Sequence, residues 1–414
     1  MDVRNQVAAV HMRKVLHLPV LALLAAMAIP AAAATPEETA REVLAKSPII
    51  DGHNDTPHQI AELFDRDFSK FDLAALPADV LAKTHTDIKT ARAGYLGGQY
   101  WSVYVDAALP KHEAVTRTIQ QIDVVRQMMA RYPETFTYAA TAAQVEAAIK
   151  KGKIASLIGM EGGHSIGGSL EILRQTYALG ARYMTLTHSL TTNWADSATD
   201  APKHDGLSAF GFEVLAEMNQ LGMIVDISHV GEATFWDAIK TTTKPVIASH
   251  SNAYTICPVT RNLKDDQIKA VGKNGGVIHL NFFSAFVDST FQAKNMAFRR
   301  KHKTELDALL ATGIQQEYAQ STLAEKYKEE TDANKPDIEA LMKHLDHIVK
   351  LIGVDHVGLG SDFDGIDSAP KQLKTVVDYP EFTKALIKRG YSDTDIEKIL
   401  GGNFLRVYRM NNPN

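Results

Sequence analysis

The chain has 414 residues, 45% hydrophobic and 22% charged, with 44 basic against 49 acidic side chains and a formal net charge of −5. That balance is ordinary for a globular protein and leaves no basic footprint for nucleic acid or an anionic membrane. One cysteine, Cys257, excludes an internal disulfide and a multi-cysteine zinc site, whereas 16 histidines exceed what solubility needs.

The first element is a leader. Arg13 and Lys14 precede an apolar stretch from Val15 to Ile29, and Ala31 to Ala34 supply a small-residue cleavage site. Residues 1–34 therefore read as a signal peptide, with Met1 or Met12 as the start and a mature chain from near Thr35. The apolar stretch is too short for a comfortable span, so no stable membrane anchor is expected after cleavage. Export to the periplasm or the medium is the expectation. In that setting Cys257 reads as a small buried hydrophobe, and any homodimer is non-covalent.

Eight apolar runs come next in order, near 48–53, 99–106, 154–161, 183–188, 223–229, 245–250, 275–281 and 356–361. Little alternation within them predicts strands covered on both faces. Helical periodicity fills the intervals, as in His112 to Tyr132, Ala142 to Lys151, Leu170 to Leu179, Gly211 to Leu221 and Asp337 to Ile352. This alternation predicts a single α/β domain over 35–414, a (β/α)8 TIM-like barrel. An open doubly wound sheet is the alternative, but no phosphate fingerprint follows the first strand. Residues 285–335 are too long for one crossover and predict a helical insertion between strands seven and eight, with its charge runs facing solvent.

Five of the runs end in a residue that binds metals: His53 with Asp55, Glu161, His229, His250 and Asp362. His53 and Asp55 are two apart on an extended segment and share a face. Glu161 ends a run that is otherwise apolar, and its rival explanation is an ion pair with Arg182. Asp362 is preferred to Asp364 because it comes first after its strand. Three histidines and three carboxylates suit zinc, with Mn2+ or Co2+ as substitutes. Six ligands are too many for one tetrahedral ion, but suit two ions about 3.5–4 Å apart that share Glu161 and hold a bridging hydroxide.

At these residues the chain resembles the membrane (renal-type) dipeptidase family of zinc peptidases. The motifs are Asp51-Gly-His-Asn-Asp-Thr-Pro57, Gly159-Met-Glu-Gly-Gly163, Leu186-Thr-His-Ser189 with Asn193-Trp-Ala-Asp196, Val225-Asp-Ile-Ser-His-Val230, Ser249-His-Ser-Asn-Ala-Tyr254 with Arg261-Asn262, Asp355 to Gly365, and Gly401-Gly-Asn-Phe-Leu-Arg406. The resemblance implies a two-zinc barrel that cleaves dipeptides, including those with a C-terminal D-residue. It implies that His53, Asp55, Glu161 and Asp362 hold one zinc, and Glu161, His229 and His250 the other. His188 and Arg261 match substrate-handling positions. His188 suits donation to a tetrahedral oxyanion, and Arg261 suits a two-pronged grip on the substrate carboxylate. Asp362 suits proton transfer from water to the leaving amine. The chain departs from the family in lacking the animal cysteines and in carrying Phe283 where some relatives have Tyr.

Two other readings compete with an exported dipeptidase. One is a related two-metal amidohydrolase acting on N-acyl amino acids, lactones or phosphotriesters, where a carboxylated Lys often replaces the Glu161 bridge. The other is a metal or peptide binder without catalysis, which requires a broken ligand set that the sequence does not show.

Overall fold

A computed structural model of the chain describes residues 34–412, apart from 82, 314 and 315. The leader predicted at 1–34 lies, but for Ala34, outside them. Among the described residues nine strands occur in order: β1 (Ile49–Asn54), β2 (Leu96–Ser102), β3 (Phe136–Tyr138), β4 (Ile154–Glu161), β5 (Ala181–Thr185), β6 (Ile224–Asp226), β7 (Ile247–Ala248), β8 (Val277–Leu280) and β9 (Val357–Leu359). Neighbouring strands run β2-β1-β9-β8-β7-β6-β5-β4, all parallel, and a β2–β4 pairing closes the ring. The result is the (β/α)8 barrel expected from the alternation.

The ninth strand is β3. It pairs with Ile154 to Ser156 at the start of β4, on the edge that β5 takes from Ile158 onward. Three residues with no apolar run gave it no trace in the sequence. The second strand begins at Leu96, three residues before the predicted 99, because Gly97-Gly98 mimics a turn. In the fold those glycines permit close packing: a Cβ on Gly97 meets Pro48 Cβ at 2.6 Å.

Two apolar layers arise from the alternation of side chains along each strand. Ile49, Trp101, Ile154 and Ile158 point outward under the helices, whereas Ile50, Tyr100, Leu157, Tyr183, Ile224, Ile247 and Val277 fill the barrel. The C-terminal helix Asn403–Asn411 seats Phe404, Val407 and Tyr408 against that inner set. The predicted helices recur within one or two residues at Lys111–Arg131, Ala142–Lys150, Leu170–Ala178, Ala209–Leu221 and Ile338–Ile352. No described helix is long and apolar enough to cross a membrane.

The segment between β8 and Ile338 is helical, with helices Ser284–Val287, Ser289–Lys301, Lys303–Leu310, Gln316–Lys326 and Lys328–Asn334. Its charges pair along the surface, as Lys301 with Glu330 (2.8 Å) and Lys303 with Asp307 (2.6 Å) do. Arg299 instead reaches Asp367 beyond β9 (3.0 Å), which ties the insertion to the barrel mouth. Cys257 is buried, its Sγ 3.6 Å from the Ala285 carbonyl.

Candidate metal and substrate site

Glu161 is the last residue of β4 and shares the inward face with Leu157 and Gly159. His53 reaches the same interior by a different route. Strict alternation from inward-facing Ile50 sends position 53 outward. Between Asp51 and Asn54, however, β1 advances three residues while β2 advances two, from Gln99 to Trp101. This bulge swings His53 inward, where its Nδ1 lies 2.7 Å from the Tyr183 hydroxyl. The remaining ligand candidates sit beyond their strands rather than on them. His229 and Asp362 adopt left-handed backbone (φ 67° and 63°), three residues past the ends of β6 and β9. For residues with a Cβ such geometry costs about 1 kcal/mol or more, and here it folds the side chains back over the mouth.

The six predicted ligands gather in two clusters around Glu161 and His53, and His188 stands in the Glu161 group with His229. Glu161 Oε1 lies 3.1 Å from His229 Nε2 and 3.5 Å from His250 Nε2. Its other oxygen lies 3.4 Å from His53 Nε2, which in turn is 3.3 Å from Asp55 Oδ2 and 3.9 Å from Asp362 Oδ1. Tetrahedral ligands about 2.0–2.1 Å from one ion stand about 3.3 Å apart, so both clusters have the spacing of a coordination shell. His53 Nε2 and Asp55 Oδ1 are buried and have no hydrogen-bond partner. His229 Nε2 and His250 Nε2 face each other at 2.8 Å. Orphaned donor atoms aimed at common points fit cations.

The electrostatics agree. Burial pushes His229 and His250 well below the usual histidine range, which keeps both rings neutral as ligands must be. Against burial, Tyr183, Glu161 and Asp55 draw His53 well above that range, so positive charge is favoured at this point. Burial alone raises the Glu161 carboxyl, but His53 and His188 outweigh it and hold it well below the carboxylate range.

His188 and Arg261 line the same cavity of about 490 Å³ as Asp55, Glu161, His229 and Asp362. The His188 ring lies between those of Tyr104 (4.6 Å) and His229 (4.4 Å), with Nε2 3.7 Å from Glu161 Oε1. Arg261 is no surface residue: it is 7% exposed, and its Nη2 has no partner. Burial lowers it to about 10, against the attraction of Asp362 and Glu161. Phe286 lies 5.4 Å beneath its guanidinium. Arg182, the rival partner for Glu161, instead donates to the carbonyls of Ala140, Tyr177 and Ala181. Asp364 turns away from the clusters to accept from the Thr56 hydroxyl at 2.6 Å.

Sequence reasoning missed the residues that hold these groups. Asn281 donates to Asp362 Oδ2 at 2.8 Å, and Tyr183 anchors His53. Asp51 and Asp226 are fully buried carboxylates inside apolar strands. That placement is a signal in itself, since a charge there needs partners.

A closed (β/α)8 barrel with three histidines, three carboxylates and an unpaired guanidinium at its C-terminal mouth defines a metal-dependent hydrolase. Residues 37–413 match the model of the membrane dipeptidase family, peptidase family M19, and the chain belongs to that family as a metal-dependent dipeptidase. It is 36% identical over 389 residues to an uncharacterized dipeptidase of Schizosaccharomyces pombe, covering 91% of this chain and 83% of the relative. Its fold is similar to that of the probable dipeptidase PvdM from Pseudomonas aeruginosa (TM-score 0.75, 24% identity, 91% of this chain and 98% of the other). It is also similar to a metallo peptidase from Rhodobacter sphaeroides liganded with a phosphinate mimic of the dipeptide L-Ala-D-Ala (TM-score 0.70, 23% identity, 88% and 99%).

Proposed function

We propose that this protein is an exported dipeptidase that works with two zinc ions, or Mn2+ or Co2+ in their place, and accepts dipeptides with a C-terminal D-residue. His53, Asp55, Glu161 and Asp362 would hold one ion, and Glu161, His229 and His250 would hold the other. The observation that carries this reading is the division of Glu161, with Oε1 facing His229 and His250 and Oε2 facing His53. When bound, two such cations would supply a water activated at neutral pH and polarisation of the scissile carbonyl.

The chain's own groups do the rest. Arg261 grips the substrate carboxylate with two parallel N–H donors and so selects a two-residue peptide. His188 donates a hydrogen bond to the oxyanion of the tetrahedral intermediate. Asp362, its Oδ2 held by Asn281, takes the proton from the attacking water and returns it to the leaving amine. Acceptance of a D-residue is supported by the dipeptide mimic bound to the Rhodobacter sphaeroides enzyme of similar fold.

Export is supported by the leader, in which Arg13 and Lys14 precede the apolar stretch from Val15 to Ile29 and the small residues Ala31 to Ala34.

The test is metal analysis combined with turnover of matched L-Xaa-L-Xaa and L-Xaa-D-Xaa dipeptides, their C-terminal amides, and N-acyl amino acids. Two ions per chain, cleavage of both dipeptide series and weak cleavage of the amides are expected. Equal cleavage of amides, or preference for N-acyl amino acids, overturns the dipeptide reading. For export, N-terminal sequencing of the periplasmic or secreted protein should begin near Thr35.

A further inference from the structure

Asp51 and Asp226 are wired alike, bond for bond. Asp51 Oδ1 accepts the backbone N–H groups of His53 (3.2 Å) and Ser361 (2.9 Å), and Oδ2 accepts the hydroxyls of Ser361 (2.6 Å) and Tyr379 (2.5 Å). Asp226 Oδ1 accepts the N–H groups of Ser228 (3.1 Å) and Ser249 (2.8 Å), and Oδ2 accepts the hydroxyls of Ser249 (2.6 Å) and Thr185 (2.5 Å). Each carboxylate thus staples two neighbouring strand ends, β1 to β9 and β6 to β7. In both, the stapled serine immediately precedes a metal-facing residue, Asp362 or His250. Neither carboxylate forms an ion pair among the described residues, so these four hydrogen bonds are what offsets the cost of burying each one.

The two staples differ in one bond. Ser249 Oγ also lies 2.8 Å from His250 Nδ1, whereas Ser361 has no imidazole beside its hydroxyl. Ser249 owns a single proton. With that proton donated to Asp226, its oxygen can only accept from His250, so Nδ1 carries the hydrogen and Nε2 keeps the lone pair aimed at Glu161 Oε1 and His229.

We propose that Asp226 is a positioning residue that, through Ser249, locks His250 in the Nδ1–H form and thereby keeps Nε2 free as a metal ligand. This rests on the two-ion reading above. An amide at position 226 can keep the staple, since Nδ2–H can donate to the hydroxyl oxygens of Ser249 and Thr185. The freed Ser249 hydroxyl then donates to His250 Nδ1 and moves the ring hydrogen to Nε2. At position 51 the same exchange reverses hydroxyls that touch no imidazole.

The experiment compares four full-length variants, Asp226→Asn, Asp51→Asn, Ser249→Ala and Ser361→Ala, with wild type and His250→Ala. Zn2+ is titrated against a competing chelator, and 15N-labelled histidine spectra report which ring nitrogen is protonated. Asp226→Asn and Ser249→Ala are expected to weaken one of the two ions about 10–100-fold, the range typical of partners behind a ligand, with activity recovering at high Zn2+. Asp226→Asn should also move the His250 ring hydrogen from Nδ1 to Nε2. Asp51→Asn and Ser361→Ala should lose less affinity than that range.

Equal losses in both pairs, or an unmoved His250 signal in a folded Asp226→Asn protein, overturn the lock. If Asp226→Asn does not fold, the pair Ser249→Ala and Ser361→Ala decides by the same criterion. If wild type binds fewer than two ions, or His250→Ala keeps both, the two-ion reading itself fails. Wild-type behaviour and His250→Ala thus separate that failure from failure of the lock.

Discussion

Arg261→Met should make the enzyme more stable and much less active, and both magnitudes come from the same burial. The guanidinium is 7% exposed and its Nη2 is unpartnered. Burial depresses it from the usual guanidinium range to about 10. A depression of that size corresponds to about 3 kcal/mol by which the fold disfavours the charged form. At pH 7, well below the folded value, the group is charged in both folded and unfolded states, so the whole cost is present and its removal is a gain. The gain shrinks only as pH rises past about 10. Methionine keeps the apolar contact with Phe286. For a domain of this size an unfolding entropy of about 2.1 cal/mol/K per residue turns ~3 kcal/mol into a Tm rise of about 4 °C.

The functional cost runs the other way. Two charge-assisted bonds to a substrate carboxylate, at about 1.5–3 kcal/mol each, predict a loss of roughly 10²–10⁴-fold in kcat/KM. Most of it should appear in KM, because the grip is made in the ground state as well. The assay pairs thermal unfolding with kinetics on a dipeptide and on its C-terminal amide. The wild type should discriminate between them and the variant should not. A variant that loses the same factor on both substrates, or that melts below wild type, refutes the reasoning.

Glu161→Gln should leave at most one tightly bound ion per chain by metal analysis, because an amide offers one oxygen where two are shared; two retained ions contradict the bridge. Asp362→Asn should still bind dipeptide yet lose about 10²–10⁴ in kcat as the proton carrier goes, and near-normal turnover removes that role. Gly159→Ala places a Cβ 2.1 Å from Tyr183 Cζ. It should cost about 1–3 kcal/mol from overpacking and also weaken metal binding, since Tyr183 anchors His53; unchanged melting in the chelated protein counts against the contact. Burial lowers His279 and His344 to about 4. The unfolded chain takes up protons below about 6.5 that the fold refuses, so the chelated protein should lose about 3 kcal/mol per ring as pH falls from 6.5 to 4. His279→Leu should flatten that slope, and an unaltered slope argues against the buried neutral ring.

The barrel was legible because parallel strands buried on both faces leave long apolar runs with helical intervals between them. The candidate ligands stood out because Glu161, His250 and Asp362 are polar residues at the ends of such runs. Arg261 could be placed only by resemblance, since a loop arginine with no periodic context reads as a surface residue until the fold buries it. The strand β3 was invisible because three residues, Phe136–Tyr138, carry no period of their own and borrow their partner from β4.

What periodicity could not express is how the ligands aim. His53 reaches the interior through a one-residue bulge, and His229 and Asp362 through left-handed backbone that only the surrounding bonds hold in place. Each of these breaks the local rule that made the strand recognisable, and each break lies at a residue that faces the clusters. Asp51 and Asp226 sit at the two strand pairs where those breaks occur, their carboxylates spanning β1 to β9 and β6 to β7. Left-handed backbone also occurs away from the clusters, at Asp65, Arg66, Tyr95 and Asp205, but at His229 and Asp362 it is what turns the side chain toward them. The buried carboxylates inside apolar strands were the sequence's own trace of that arrangement, because each accepts the N–H and hydroxyl of the serine that precedes a residue facing the clusters.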